Sequence, residues 1–391
     1  MSLLRLIYLY RNLTRNWLRT LLTLAAVALP IMIYVLSMAV VDGIDRFLDN
    51  SAKQLRLAIT QKSSIVNPLP AGHRLKMESL DPTRSRIISV CGMRWIGGKI
   101  DRDPRPLSSM GADADTFIET FPEYNLTQAE VDAWKRDRQA IIVGRTTALQ
   151  FGWKVGDRIV IRPSVPPYTP MEFHVVSTGE HAEDPITLWF HREYLEQELK
   201  KGGYWEGMVS FFFVKCASQA DLDHYRAQID ELFARTPDET KTQDEKTFMN
   251  EFITQQFNLP RNLTILAAVT VFVAVMAAAN TMSMNFRDRM NEIATLKSMG
   301  FGGGFAFAMI QAESMLLCAI GGMIGALGPY VVFTHTPLRN YMIPLIQQLT
   351  VRFAVCIQAM LIAVAIGLIA AIWPSILAMR MRVVAALRNL E

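Results

Sequence analysis

The sequence predicts a polytopic α-helical membrane protein, with four transmembrane helices and a large α/β extracytoplasmic domain between the first and second. Three observations predict this class. Hydrophobic residues make up 51% of the 391 residues, and charged residues only 19%, against about 25% in an average soluble chain. Four segments are apolar enough to span a bilayer. The block between the first two is polar and long enough for a core of its own.

Charge is unevenly divided along the chain. Residues 42–261 contain 32 acids and 28 bases, whereas the rest of the chain contains 4 acids and 12 bases. The net charge of +4 is therefore the balance between a slightly acidic block and basic, apolar arms. This pattern excludes a purely soluble enzyme and a disordered chain, and it gives no reason to expect nucleic-acid binding. Four cysteines are too few for a disulfide scaffold.

The four apolar segments each reach the length of about 20 residues that a membrane helix needs. We expect the spans at residues 20–41, 262–286, 301–333 and 352–379. The first could also be a cleaved signal peptide, because a basic segment precedes it. Its apolar stretch is about twice the usual 7–15 residues, and no small-x-small cleavage site precedes Asp42. We therefore expect an uncleaved anchor.

Basic residues predict the orientation of the chain. They precede the first span, lie between the second and third, and follow the fourth: Arg5, Arg11, Arg15, Arg19, Arg287, Arg289, Lys297, Arg380, Arg382 and Arg388. The positive-inside rule makes this shared side cytoplasmic. We expect a multi-pass protein of the bacterial inner membrane with cytoplasmic termini (residues 1–19 and 380–391). The domain 42–261 and the short loop 334–351 then lie outside the cytoplasm.

Alternating and helical patterns predict a mixed α/β domain outside the membrane. We expect strands at 54–61, 86–96, 140–144, 158–162, 171–177 and 209–215, and helices at 217–234 and 244–257. The last helix is expected to lead directly into the second span, which would couple the domain mechanically to the membrane. Cys91 and Cys216 lie in this domain, where oxidation is possible, but the sequence leaves their pairing open.

No catalytic or metal-binding set stands out in this domain. His174 and His181 form only a loose pair, and a solvated loop is favoured over a cation site at the acidic residues around His181: Glu180, Glu183 and Asp184. The chain also lacks a G-x-x-x-x-G-K-[ST] phosphate loop. We therefore expect no cofactor in this chain, and any work on a substrate would take its energy from a partner or a gradient.

Glu313 is the candidate intramembrane polar residue, in the first third of the third span. An ionisable group at this depth is a functional hypothesis by default. The sequence leaves open whether it gates or makes a polar contact, or is a structural partner near the cytoplasmic interface. Later in the same span, Gly321-x-x-x-Gly325 is a small-residue pattern that suits close helix packing.

The loop between the second and third spans, residues 287–300, predicts a short amphipathic helix. Ile293, Leu296 and Met299 share one side, and Gly300 is a good residue for ending a helix. Composition alone supports two interpretations of this helix equally. The helix could transmit force to a cytoplasmic partner, or it could be a plain connector.

The same loop resembles the FtsX/MacB-type permeases of ABC transporters, the type VII mechanotransmitting group. Their loop commonly reads E-R-x-R-E-I-x-x-L-[KR]-x-x-G, and residues 288–300 match it at most positions, departing at Asn291. The resemblance covers nearly the whole chain. Further matching segments are Arg11 to Thr23, Ile141 to Gly144 with Gly152 to Asp157, Glu313 with the glycines that follow it, and Pro374 with Val384 to Arg388.

The resemblance implies a dimer with a second copy or a paralogue, and ATPase subunits that bind ATP and magnesium in separate chains. The implied ATPase-coupling residues are Arg287, Arg289, Glu292, Ile293, Leu296, Lys297 and Gly300. Long first and second spans would pass motion to the external domain, made of a porter-like part and an inserted part near residues 107–170. Substrates would be extracted from the outer leaflet or expelled from outside the cytoplasm.

The implied function is export or extraction of an amphiphile, lipid, lipoprotein or peptide, with membrane lipids and a periplasmic adaptor as further partners. An alternative is a non-transporting mechanotransmitter that regulates an envelope hydrolase. A membrane-anchored sensor without an ATPase is disfavoured, because it needs no force-bearing cytoplasmic helix.

Overall fold

The computed structural model describes residues 17–100, 103, 105–179, 186–204, 206–335 and 351–381. The chain forms two compact units. One contains residues 47–256 and is called the external domain; the other, the membrane unit, combines the segments on either side of it. Most of the predicted termini, most of loop 334–351 and the acidic residues around His181 lie outside the described residues.

Four long apolar helices in the described residues have the length and composition to cross a membrane. They are α1 (Trp17–Lys53), α9 (Leu259–Asp288), α11 (Gly303–His335) and α12 (Phe353–Arg380). This confirms the four predicted membrane helices with a large domain between the first two. The first helix is longer than the predicted span, because Asp42 and Arg46 pair one turn apart at 3.2 Å and the helix continues. Hydropathy marks where the apolar surface ends, which is a different point from the end of the helix.

Gly321 and Gly325 of α11 lie against the first membrane helix. A Cβ added at Gly325 would lie 2.5 Å from the carbonyl oxygen of Ala28, and one at Gly321 would lie 3.2 Å from that of Leu24. Only glycine permits so close an approach of two helix backbones. On another side of α11, Ser314 donates a hydrogen bond of 2.8 Å to the carbonyl oxygen of Gly367 in α12. The third span is thus packed tightly against both the first and the fourth.

The external domain is an α/β structure built on one nine-stranded sheet. Its helices are α2 (His73–Glu78), α3 (Phe117–Thr120), α4 (Gln128–Arg136), α5 (Arg145–Phe151), α6 (Arg192–Lys201), α7 (Gln219–Phe233) and α8 (Glu245–Phe257). Its strands are β1 (Arg56–Gln61), β2 (Leu69–Pro70), β3 (Ile87–Trp95), β4 (Ser109–Ala112), β5 (Ala140–Val143), β6 (Arg158–Ile161), β7 (Met171–Ser177), β8 (Leu188–His191), β9 (Met208–Val209), β10 (Phe211–Cys216) and β11 (Thr240–Asp244).

The order of strands in the sheet divides the domain into two halves. The order is β11-β1-β10-β3-β4-β8-β5-β7-β6, and β2 pairs separately with β9. The first four strands come from both ends of the domain sequence, and we call this part the porter half. The last five come from residues 109–191, and with α6 they form the inserted half. The predicted end of the inserted part near residue 170 is therefore too early, because β7 and β8 belong to the same run of strands.

Alternation along the strands places apolar side chains on both faces of the sheet. Leu57 and Ile59 of β1 pack with α7, while Ala58 between them faces an aromatic cluster that includes Phe213 and Phe248. A sheet that is covered on both faces buries apolar side chains on each of them. The two cysteines on adjacent strands belong to opposite faces, so Cys91 and Cys216 are both free and buried.

The connection from α8 to the second membrane helix is interrupted at one residue. Helix α8 ends at Phe257 and α9 begins at Leu259, while Asn258 adopts a left-handed conformation with φ of 43°. Asparagine is one of the few non-glycine residues that tolerate this conformation. One non-helical residue therefore separates α8 from the span, where a direct continuation was predicted.

Candidate coupling site

The coupling helix α10 (Met290–Ser298) follows the second membrane helix after one non-helical residue, Arg289. It ends in a Schellman motif: the amide of Phe301 donates to the carbonyl of Leu296, and that of Gly300 donates to Lys297. Gly300 has φ of +95°, a conformation that favours glycine. The motif fixes where the helix ends and where the chain turns toward the third span.

A buried polar cluster joins the start of the coupling helix to the third span. Arg289 donates from Nη1 to Oε2 of Glu313 at 2.5 Å, and Asn285 donates to Oε1 of the same carboxylate at 2.9 Å. Arg289 also donates from Nε to Glu292 at 3.2 Å. Arg289 and Glu313 are each 5% exposed. The carboxylate is therefore neutralised by one cation and satisfied by a second donor, which is what a buried charge requires.

This cluster determines how the coupling helix sits against the membrane helices. Removing one member of a buried ion pair costs about 3–5 kcal/mol, because the other charge is left without compensation. Ile293, 1% exposed, packs beside the cluster against Phe286 and Ile310. The ion pair and this apolar contact hold the same face of α10 onto the second and third spans.

Lys297 makes a second attachment at the other end of the coupling helix. Its Nζ donates to the carbonyl oxygens of Met379 and Met381, both at 2.9 Å. These carbonyls lie at the C-terminal end of α12, where the helix leaves acceptors without intrahelical partners. A movement of α10 is thus tied to the second, third and fourth spans.

The opposite face of the coupling helix is exposed. Its exposed residues are mostly uncharged: Asn291, Thr295, Ser298 and Met299. Leu296 and Glu292 are partly exposed at its edge, while Arg287 and Asp288 are exposed just before it. The helix therefore has an exposed face of about two turns, while its opposite face is attached to the membrane helices.

Comparison with known proteins assigns the chain to a family. Residues 264–383 match the FtsX-like permease C-terminal domain, and residues 20–232 match the MacB-like periplasmic core domain. The chain belongs to the FtsX/MacB-like permeases. The matched segments together take in the four membrane helices, the coupling helix and most of the external domain. As a member of this family, it is a permease component of the inner membrane. A search of curated proteins gave no match.

Two solved structures are similar to part of the chain. The periplasmic region of MacB from Actinobacillus actinomycetemcomitans is 11% identical, with a TM-score of 0.35; the match covers 51% of this chain and 92% of that one. The extracellular domain of the noncanonic ABC-type transporter YknZ from Gram-positive bacteria is 10% identical, with a TM-score of 0.34; that match covers 48% and 99%.

The structure divides the sequence-predicted coupling residues of this permease into two groups. Arg289 and Ile293 are buried within the membrane unit, and Lys297 is held by carbonyl oxygens of α12. Arg287, Glu292 and Leu296 keep exposed or partly exposed side chains. Contact of any of them with an ATPase stays a prediction. Asn285 was missed, although its position one helical turn before Arg289 places both on one face.

The external domain of the permease contains a buried histidine with a lowered pKa. His191 is 3% exposed, and its ring lies 4.2 Å from that of Trp134. Burial lowers the pKa of His191 to about 4, although Asp137 opposes the shift. His174, the described member of the loose histidine pair, instead bonds to Asp137 at 2.6 Å. Among the described residues, no group of three or more His, Cys, Asp or Glu could hold a metal ion.

Proposed function

We propose that this chain is the permease subunit of a mechanotransmitting ABC transporter. A separate ATPase subunit binds ATP and magnesium, and its cycle moves the coupling helix. The movement passes through the membrane helices to the external domain, which acts on an amphiphile, lipid, lipoprotein or peptide. The working unit is a dimer with cytoplasmic termini, and the coupling helix faces the cytoplasm beside the basic residues between the second and third spans.

The observation that carries this proposal is the two-faced coupling helix. One face is attached by the Arg289–Glu313 pair and by Lys297, and the other is exposed. A plain connector needs no buried ion pair at its start, because such a pair adds little net stability over apolar packing. A helix that transmits force needs firm attachment on one side and a free surface on the other. This arrangement therefore favours force transmission over the connector interpretation.

The proposal is tested by affinity purification of the full chain from its native membrane in mild detergent, with identification of the bound chains. We expect an ATPase with a phosphate loop to co-purify with the unaltered chain. The variants Thr295→Arg and Leu296→Asp alter the exposed face and its edge, and we expect them to lose the ATPase while still inserting in the membrane. Ser298→Ala, a small change on the same face, is the matched control and should retain it.

Glu292→Lys is expected to lose the ATPase as well, but it also places a cation beside Arg289 and is less specific. Recovery of the ATPase with Leu296→Asp and Thr295→Arg at the level of the unaltered chain would show that docking occurs elsewhere. The other proteins that co-purify distinguish export from the regulation of a hydrolase. A periplasmic adaptor supports export, whereas an envelope hydrolase would replace export with the switching of that hydrolase.

A further inference from the structure

Two helices lead into the external domain, and they meet the sheet at neighbouring strands. Helix α1 ends at Lys53 and is followed by β1, while β11 is followed directly by α8. The two strands pair antiparallel, with Leu57 opposite Asp244. An exposed ion pair of 2.7 Å between Asp49 and Lys246 also joins the end of α1 to the start of α8. Within the external domain, the two helices are thus attached to each other and to the same edge of the sheet.

Arg56, the first residue of β1, lies at this junction and is almost fully buried. Its side chain is 3% exposed and binds Glu245, the first residue of α8, through two hydrogen bonds of 2.6 and 2.9 Å. It also contacts Glu123 at 2.6 Å and donates to the carbonyl of Thr120 at 2.8 Å. Its guanidinium group lies over the ring of Phe121, 4.3 Å from the centroid. One side chain thereby joins three segments of the chain: its own strand β1, the start of α8 and residues 120–123.

The third of these segments belongs to the other half of the domain. Thr120 ends α3 and residues 121–123 follow it, within the chain segment of the inserted half, whereas β1 and α8 belong to the porter half. In the sheet, β10 and β3 separate β1 from the first strand of the inserted half. Arg56 contacts residues 120–123 directly and so connects α8 to the chain segment of the inserted half, which also bonds to β3 through Thr120 and Ser89.

We propose that Arg56 is the residue that transmits movement of α1 and α8 to the inserted half of the external domain. This inference rests on the proposed function, because it assumes that the ATPase cycle moves these helices. A planar guanidinium with five donors can bind two carboxylates and a carbonyl at once in fixed geometry, which a lysine cannot do. Within the described residues, Oε2 of Glu123 is buried without a hydrogen-bond partner. It gives Arg56 a further acceptor to engage when α8 is displaced.

The test measures the separation of the two halves in the full chain, bound to its ATPase in lipid nanodiscs. Spin labels are attached at Lys135→Cys in α4 and at Ala227→Cys in α7, both exposed positions in different halves. The four native cysteines are buried, and burial raises the pKa of Cys91 and Cys216 to about 12, so these thiols react slowly with the label. Pulsed electron–electron double resonance then gives the distance between the two spin labels with and without ATP.

We expect ATP to shift this distance in the chain with native Arg56, and we expect Arg56→Lys to abolish the shift while ATPase binding and hydrolysis persist. Because a lone buried carboxylate can prevent folding, a second variant combines Arg56→Met with Glu245→Gln and Glu123→Gln. It removes all three charges together and should also lose the shift. Arg192→Lys is the matched control: it alters the pair between part-buried Arg192 and buried Asp113, which involves neither α1 nor α8, and the shift should remain.

The inference is overturned if the shift persists in both Arg56 variants, if the control loses it equally, or if the native chain shows none while ATP is hydrolysed. Failure of the proposed function has a different signature, because in that case no ATPase binds the chain and no hydrolysis is measured.

Discussion

The buried pair between Arg289 and Glu313 gives the sharpest test of how the coupling helix is attached. Replacing Glu313 with Gln keeps the shape of the side chain but leaves Arg289 without its closest counter-charge. Glu292, 3.2 Å from Arg289, compensates part of that charge. The expected loss is therefore at the low end of the range for a broken buried pair, about 3 kcal/mol.

This loss should appear as local opening of the coupling helix. A change of about 3 kcal/mol in the free energy of opening corresponds to roughly a hundredfold in rate, since 1.4 kcal/mol is about a factor of ten. We expect backbone amides in residues 293–301 to exchange with deuterium about a hundred times faster in Glu313→Gln. Hydrogen–deuterium exchange of the purified full chain, read by mass spectrometry, measures this directly.

Two further variants separate the ion pair from general damage. Glu292→Gln alters the partly exposed partner of Arg289, whose contribution is expected to be below about 1 kcal/mol, so exchange should rise less than tenfold. Replacing both members, Arg289→Met with Glu313→Leu, leaves no unpaired buried charge, since Glu292 is partly exposed, and should restore slow exchange. Equal exchange in Glu313→Gln and Glu292→Gln would refute the assignment of the attachment to Glu313.

Three other predictions concern packing, pH and the end of the coupling helix. Gly325→Ala places a methyl group against the carbonyl of Ala28 and should cost about 1–3 kcal/mol. We expect it to lower the melting temperature of the detergent-solubilised chain. Gly328→Ala, which has open space at its Cβ, should leave the melting temperature unchanged. The pKa of His191 is lowered to about 4, so its contribution to stability is full above pH 6.5. That contribution, about 3 kcal/mol, is lost as pH falls from 6.5 toward 4. Unfolding followed by tryptophan fluorescence should therefore depend less steeply on pH in His191→Gln. An unchanged pH dependence would contradict the role of His191. Lys297→Met removes two hydrogen bonds from a charged donor and should speed amide exchange in α10 about tenfold. An unchanged exchange rate would show that these bonds do not hold α10.

The membrane helices were predictable because their signal is local. An uncharged run longer than about 20 residues is rare outside a membrane span, so the number and order of the four helices follow from the sequence. Their ends do not follow, because a helix continues through charged residues when they pair along it, as Asp42 and Arg46 do. The left-handed Asn258 likewise gives no hydropathy signal.

Four strands of the external domain were not predicted: β2, β4, β8 and β11. Two of them, β4 and β11, show separate physical reasons. Strand β4 contains Gly111, a poor strand former, because the ring of Phe190 lies 2.9 Å from where a Cβ would be. Strand β11 is polar, and Thr240 and Thr242 are held by Asp230 through hydrogen bonds of 3.0 and 2.7 Å. Neither stabilising contact produces the apolar alternation from which strands are predicted.

The candidate site was predictable in its parts but not in its pairing. The amphipathic loop, its terminal glycine and the isolated Glu313 can all be found in the sequence. Nothing local indicates that Arg289 turns inward to Glu313, 24 residues further along the chain. The sequence pattern therefore groups the basic residues of the loop as docking residues, whereas in the structure Arg289 and Lys297 hold the helix in place.

The proposed function requires an ATPase to act on the exposed face of the coupling helix. The most direct measurement places a photo-crosslinking amino acid at Thr295 in the full chain, in cells of its natural host, and identifies the captured protein by mass spectrometry. The same probe at Lys135 in the external domain is the control. We predict that Thr295 captures a phosphate-loop ATPase and that Lys135 does not. Absence of an ATPase at Thr295, or equal capture at both positions, would contradict docking on this face.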